Sequence, residues 1–145
     1  MSDLYDQDFF GWANQQSQLL REGRVGEADL DHIAEEIEDM GRSRRQELRN
    51  RLAILLLHLL KWEHQPARRG RSWRSSIVEQ RTRIAEHLAE NPSLQPLLAE
   101  SIGAGYRYAL LRIDRETGMP ADAFPQTCPY SASEVLSEAF LPGEP

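Results

Sequence analysis

Large or apolar residues at 30, 33, 37, 40, 44, 48, 52, 55, 59 and 62 recur every three or four positions, with Arg44 the polar exception. That period marks one face of a helix running from Asp29 or Asp31 to just before Pro66. Gly41, followed by Ser43 and Gln46, offers an alternative: a C-cap and then a capping box that would split the helix. Charge decides against it. A split would leave Glu35, Glu36, Glu38 and Asp39 at a C-terminus and Arg42, Arg44 and Arg45 at an N-terminus, both against the dipole. Unbroken, the same stretch offers Glu38–Arg42 and Glu47–Arg51 pairs one turn apart.

Four further helices follow from the same kind of pattern. The first spans about Asp6 to Glu22 and carries Phe9, Phe10, Trp12, Leu19 and Leu20; aspartates at 3, 6 and 8 suit its positive end. Another covers about Ser72 to Glu90, with Ile77, Ile84 and Leu88 inward, and Asn91-Pro92 stops it. The next runs from Ser93 to about Glu116, closed by Gly118 and Pro120. Ser131 and Glu134 form a capping box for a short last helix ending near Phe140. Valine occurs only at 25, 78 and 135, and no period-2 run of β-branched residues is present. The predicted fold is all-α: a single-domain helical bundle over 1–145, about five helices around one long central helix.

Charge changes this picture, because it is segregated. Residues 1–41 hold 2 arginines against 11 acids, 42–83 hold 12 basic residues against 3 acids, and 84–145 hold 3 arginines against 9 acids. The acidic and basic thirds can screen one another by packing side by side, or the basic third can hold an anion. One cysteine, Cys128, excludes an internal disulfide and a cysteine metal cluster. The N-terminus is acidic, and the longest apolar run, Leu52 to Leu60, is broken by His58 and falls far short of the roughly 20 residues of a membrane span. The reading is a cytoplasmic protein with no membrane partner.

Candidate chemistry concentrates in "LLLHLLKWEHQPARRGRSWR", residues 55–74. Leucines surround His58 on every side of the helix, which predicts a buried imidazole bonded to a tyrosine, carboxylate or backbone group, with Trp62 as its same-face neighbour. Arg68, Arg69, Arg71, Arg74, Arg81 and Arg83, with Trp73 among them, surround a helix start and form the candidate anion site. Arginine beside an aromatic also suits single-stranded nucleic acid, the less favoured partner. Sixteen arginines against one lysine fit inter-helix pairing equally well.

A metal site would need ligands on facing helices. His32, Glu35 and Glu36 share one helix side, as do Glu86, His87 and Glu90, and a divalent ion among Glu35, Glu38, Glu86 and Glu90 would resemble the all-α nucleotide pyrophosphatases. The same positions describe a solvated helix face, so neither a metal nor a cofactor is assigned. No Gly-x-Ser-x-Gly, phosphate-cradling glycine loop or His-Glu-x-x-His occurs, and Cys128 reads as a packing residue.

The stretches "LYDQDFFGWANQQSQLLREGR", "AEEIEDMGRSRRQELRNRLAILLLHLLKW", "RSWRSSIVEQR" and "AFPQTCPYSASEVLSEAFLP" resemble, in this order and over nearly the whole chain, a bacterial family called domain of unknown function 29. The resemblance implies an all-helical domain and no particular chemistry, so it supplies no site residues.

Length adds an expectation about association. From Asp29 to Gln65 a straight helix runs about 55 Å, against a width near 38 Å for a bundle of this size. Its first half, with Leu30, Ile33, Ile37 and Met40, then needs a cover. The first helix can supply part, and a two-fold mate presenting the same patch the rest, giving a homodimer. The overall reading is a helical interaction or regulatory module with an unknown protein partner, leaning against an enzyme. A small hydrolase of a phosphorylated substrate, using a carboxylate-bound divalent metal, is the alternative.

Overall fold

A computed structural model describes residues 4–143. Among them the chain forms six α-helices and no strand: α1 Leu4–Gln7, α2 Phe9–Arg21, α3 Leu30–His64, α4 Arg71–Glu90, α5 Leu98–Thr117 and α6 Ala132–Leu136. The all-α expectation holds, and α3 passes through Gly41 without a break. Three-residue 3₁₀ turns at Val25–Glu27, Pro66–Arg68 and Ala121–Ala123 connect several of the helices.

Three boundaries differ from the sequence pattern, each for a local reason. The expected first helix is interrupted at Asp8, whose carboxylate accepts the Gly11 N–H and so caps a fresh start, α2. Asp3, counted with it at the helix start, lies outside the described residues. Residues from Pro92 to Leu97 form a 3₁₀ turn, so α5 begins at Leu98 rather than Ser93. Pro96 has no N–H to offer and biases Gln95 away from helical geometry. The last helix has its capping box, Ser131 with Glu134, but ends at Leu136, beyond which Ser137 is extended. Arg42 pairs with Asp39 rather than with Glu38, while Arg51 reaches Glu47 as expected. Gly118 closes α5 in the left-handed region, φ 77°, which favours glycine.

The chain divides into two units, Met1–Ser43 and Arg44–Pro145. In the second, the α3 residues Leu48, Leu52, Leu55, Leu56, Leu59 and Leu60 are wholly buried and join Ile77 and Ile84 of α4, Tyr106 and Ile113 of α5 and Val135 of α6. Helices α3 and α5 come very close: a Cβ on Gly105 would lie 3.0 Å from the Ala53 backbone nitrogen and from the Leu52 Cβ. The acidic last third of the chain does meet the basic middle third here. Arg45 and Arg49 both reach Glu100, and Lys61 binds Glu116 at 2.5 Å.

In the first unit the core is small and polar. Asp29, immediately before α3, accepts from the Trp12 indole at 3.1 Å and from His32 Nδ1 at 2.6 Å, while its own N–H donates to Gln16 Oε1 at 2.7 Å. The Tyr5 ring stacks on His32, centroids 3.9 Å apart, and its hydroxyl donates to Glu36. This knot, which ties α1 and α2 to the first turns of α3, was not apparent in the pattern of apolar residues.

Candidate functional site

The arginines expected to form one anion patch sort into different roles. Around Trp62 they do converge. Arg69 Nε donates to the Trp62 carbonyl at 2.7 Å, and the guanidinium carbons of Arg69 and Arg74 lie 5.3 and 5.1 Å from the Trp62 ring centre. With Gly70 and Arg71 they line a hollow of about 440 Å³ at the start of α4, where no side chain caps the helix. Arg68 is exposed on the preceding turn. Arg81 lies elsewhere in structure and role: it is buried, and its Nε and Nη2 donate to the carbonyls of Val135 and Glu134 at 2.9 and 3.2 Å. It thereby fastens the end of α6 rather than offering itself to an anion. Arg83 is exposed and pairs with Glu79 one turn back. Inter-helix pairing with carboxylates, the expected competitor of anion binding, is not what holds Arg69, Arg81 or Arg83.

His58 corrects its expectation in part. The ring is bonded, Nδ1 donating to the Ile54 carbonyl of its own helix at 2.8 Å. It is only half-buried, because Arg51, Ile54 and His58 form the one stripe of this part of α3 that the other helices leave partly open. Burial lowers its pKa below the ordinary histidine value, partly opposed by the bond to Ile54. A neutral ring with its proton on Nδ1 follows near pH 7.

Three members of the two groups considered for a metal have partners of their own. His32 is held by Asp29 and Glu36 by Tyr5, while His87 turns inward, its Nε2 donating to the Arg44 carbonyl at 2.7 Å. Among the described residues no three His, Cys, Asp or Glu side chains gather as a metal would require. Cys128 is partly buried, its Sγ donating to the Tyr130 carbonyl at 3.6 Å, and burial pushes the thiol pKa up. It is thus a poor nucleophile. Asp29 orients His32 in the manner of an acid–base pair, yet no hydroxyl or thiol is bonded to that ring among the described residues. The pair is a latch for the start of α3.

What the first unit does present is an open apolar stripe. On α3, Leu30, Ile37 and Met40 are 49%, 58% and 61% exposed, and on α2 Phe10 is 78% exposed. The latch covers the side of α3 that bears His32 and Glu36 and leaves the neighbouring stripe bare. Residues 1–43 carry three arginines against eleven acids, so these apolar side chains sit in a strongly negative setting.

These features define a helical protein that presents an apolar stripe among acids in one unit and a cluster of arginines around Trp62 in the other. The chain belongs to the family described as Domain of unknown function DUF29, which matches residues 4–141. No curated protein and no solved structure matches the chain. No helix among the described residues is long and apolar enough to cross a membrane.

Proposed function

We propose that this protein is an interaction module that receives a basic amphipathic helix of another protein on the open stripe of α3. The observation that carries the reading is the half-to-two-thirds exposure of Leu30, Ile37 and Met40 on a single face, spaced as a helix-in-groove contact requires. Large apolar side chains left contiguous at a surface indicate a partner. The acids beside the strip state which partner: cationic residues flanking an apolar strip complement Asp31 and Glu38 on one side of it and Glu36 on the other. The same acids argue against a two-fold mate on this stripe, since self-pairing would bring like charges together. Function as a single helical module over 1–145 is part of this reading. Hydrolysis receives less support, because among the described residues no three His, Cys, Asp or Glu side chains gather to hold the divalent metal it would need.

The test is fluorescence anisotropy with a labelled Leu/Lys helical peptide, against a Leu/Glu peptide of the same pattern. Binding of the Leu/Lys peptide alone, weakened about tenfold or more by Ile37→Asp with Met40→Asp, is the expected result. Equal binding by wild type and the double variant overturns it. So does light scattering that shows twice 16.6 kDa for the wild type and 16.6 kDa for the variant, which would make the partner a second copy.

A further inference from the structure

The second unit carries a groove that neither the arginine hollow nor the stripe of the first unit explains. Glu100 meets Arg45 and Arg49, Gly105 packs on Leu52 and Ala53, and Glu116 meets Lys61, so α5 runs beside α3 in the same direction. Along the outer edge of this contact a hollow of about 380 Å³ opens, floored by Ala53, Ile54, Tyr108 and Leu111, with Arg112 and Arg115 at its rim. Leu111 is 70% exposed and Tyr108 43% exposed, so the hollow presents large apolar side chains to solvent. Residues 108, 111, 112 and 115 share one helical face, so a sequence signal exists. It was hidden because the same spacing describes an ordinary amphipathic helix.

The rim is cationic on balance. Glu116 is already bound by Lys61 at 2.5 Å and by Arg112 at 3.2 Å. Arg115 has no carboxylate within ion-pair distance among the described residues. An apolar floor that ends at an unmatched guanidinium selects molecules with an apolar body and one negative head. The volume lies in the small-molecule range, roughly 300–1,000 Å³, and is too small for a docked helix.

We infer that this groove binds a small amphipathic anion, a medium-chain carboxylate, with its chain on Ile54, Tyr108 and Leu111 and its head between Arg112 and Arg115. The bond is a charge-assisted one, with the guanidinium donating to the carboxylate. Because α3 and α5 both belong to the second unit, the site does not depend on the stripe of the first.

Isothermal titration calorimetry of the full chain tests it with three probes of equal chain length: decanoate, decanol and decyltrimethylammonium. Decanoate is expected to bind, about tenfold or more tightly than decanol, with the cationic probe weakest. Leu111→Glu should abolish decanoate binding and Arg115→Gln should weaken it about tenfold, while Ile37→Asp with Met40→Asp leaves it unchanged. Both groove positions are exposed, so circular dichroism should show the variants folded. Equal affinity for the three probes, binding that appears only where decanoate forms micelles, or decanoate binding indifferent to Leu111→Glu would each overturn the inference.

Discussion

Two halves of one helix, α3, are held in opposite ways. From Arg44 onward its leucines are sealed by α4, α5 and α6, and two of the polar side chains drawn in with them are firmly bonded: Arg81 to the end of α6, His87 to the Arg44 carbonyl. Before Arg44 the helix is anchored by a polar knot around Asp29, and its apolar stripe is left open. The same periodicity runs through both halves. What differs is whether other parts of the chain arrive to cover it. Amphipathicity states which face wants burial, and only the rest of the fold states whether burial is supplied.

Truncation should expose this contrast most strongly. Leu56→Ala empties a wholly buried site in the second unit and should cost about 2–5 kcal/mol in chemical denaturation. Ile37→Ala removes more than half-exposed surface in the first and should stay within about 0.5 kcal/mol. Comparable costs at the two positions would mean that the stripe is covered in solution, and the contrast would collapse.

How far the sequence went follows the same division. The continuity of α3 was readable because the dipole penalty of a break at Gly41 can be worked out from charges alone. The buried leucines and the capping box at Ser131 were readable because period and cap chemistry are local. His58 was misplaced because leucines on all sides of a helix in sequence need not be equally covered in space; the stripe of Arg51, Ile54 and His58 faces a gap between helices. The division of roles among the arginines was not legible because spacing along the chain cannot tell that Arg81 points to α6 while Arg69 lies over Trp62. The latch of Trp12, Gln16, Asp29 and His32 joins residues far apart in the chain. Only its last step was visible, an aspartate three residues before a histidine at a helix start.

Within the basic segment a smaller contrast can be sharpened. Arg81→Leu leaves the Val135 carbonyl without its side-chain donor and the Glu134 carbonyl with the Ser137 N–H alone, and should cost about 1–3 kcal/mol, with faster amide exchange in α6. Arg83→Ala, two residues on, loses only an exposed pair with Glu79 and should change stability by about 0–1 kcal/mol. If both variants behaved alike, Arg81 would not be the fastener its geometry indicates. Between these lies Ser131→Ala, which removes the box at the start of α6 for a cost of about 1 kcal/mol in a thermal melt.

The finest difference between the units is electrostatic, and it separates two histidines. In the first unit the bond to Asp29 raises the His32 pKa against the opposing effect of burial; in the second, burial lowers that of His58. The signs therefore oppose. The contribution of His32 is fully present below the unfolded value of about 6.5 and is lost as pH rises through its higher folded value. The contribution of His58 is present above about 6.5 and is lost as pH falls through its lower folded value. Acidification from mildly alkaline pH should thus charge His32 first and tighten the latch, while His58 stays neutral until lower pH and then weakens the second unit. Ring-proton chemical shifts followed through the titration resolve the two directly. Asp29→Asn should bring the His32 midpoint down and leave that of His58 where it was. A shared midpoint in the wild type, or a His58 midpoint that moves with Asp29, would show that the two halves of α3 do not set their electrostatics independently.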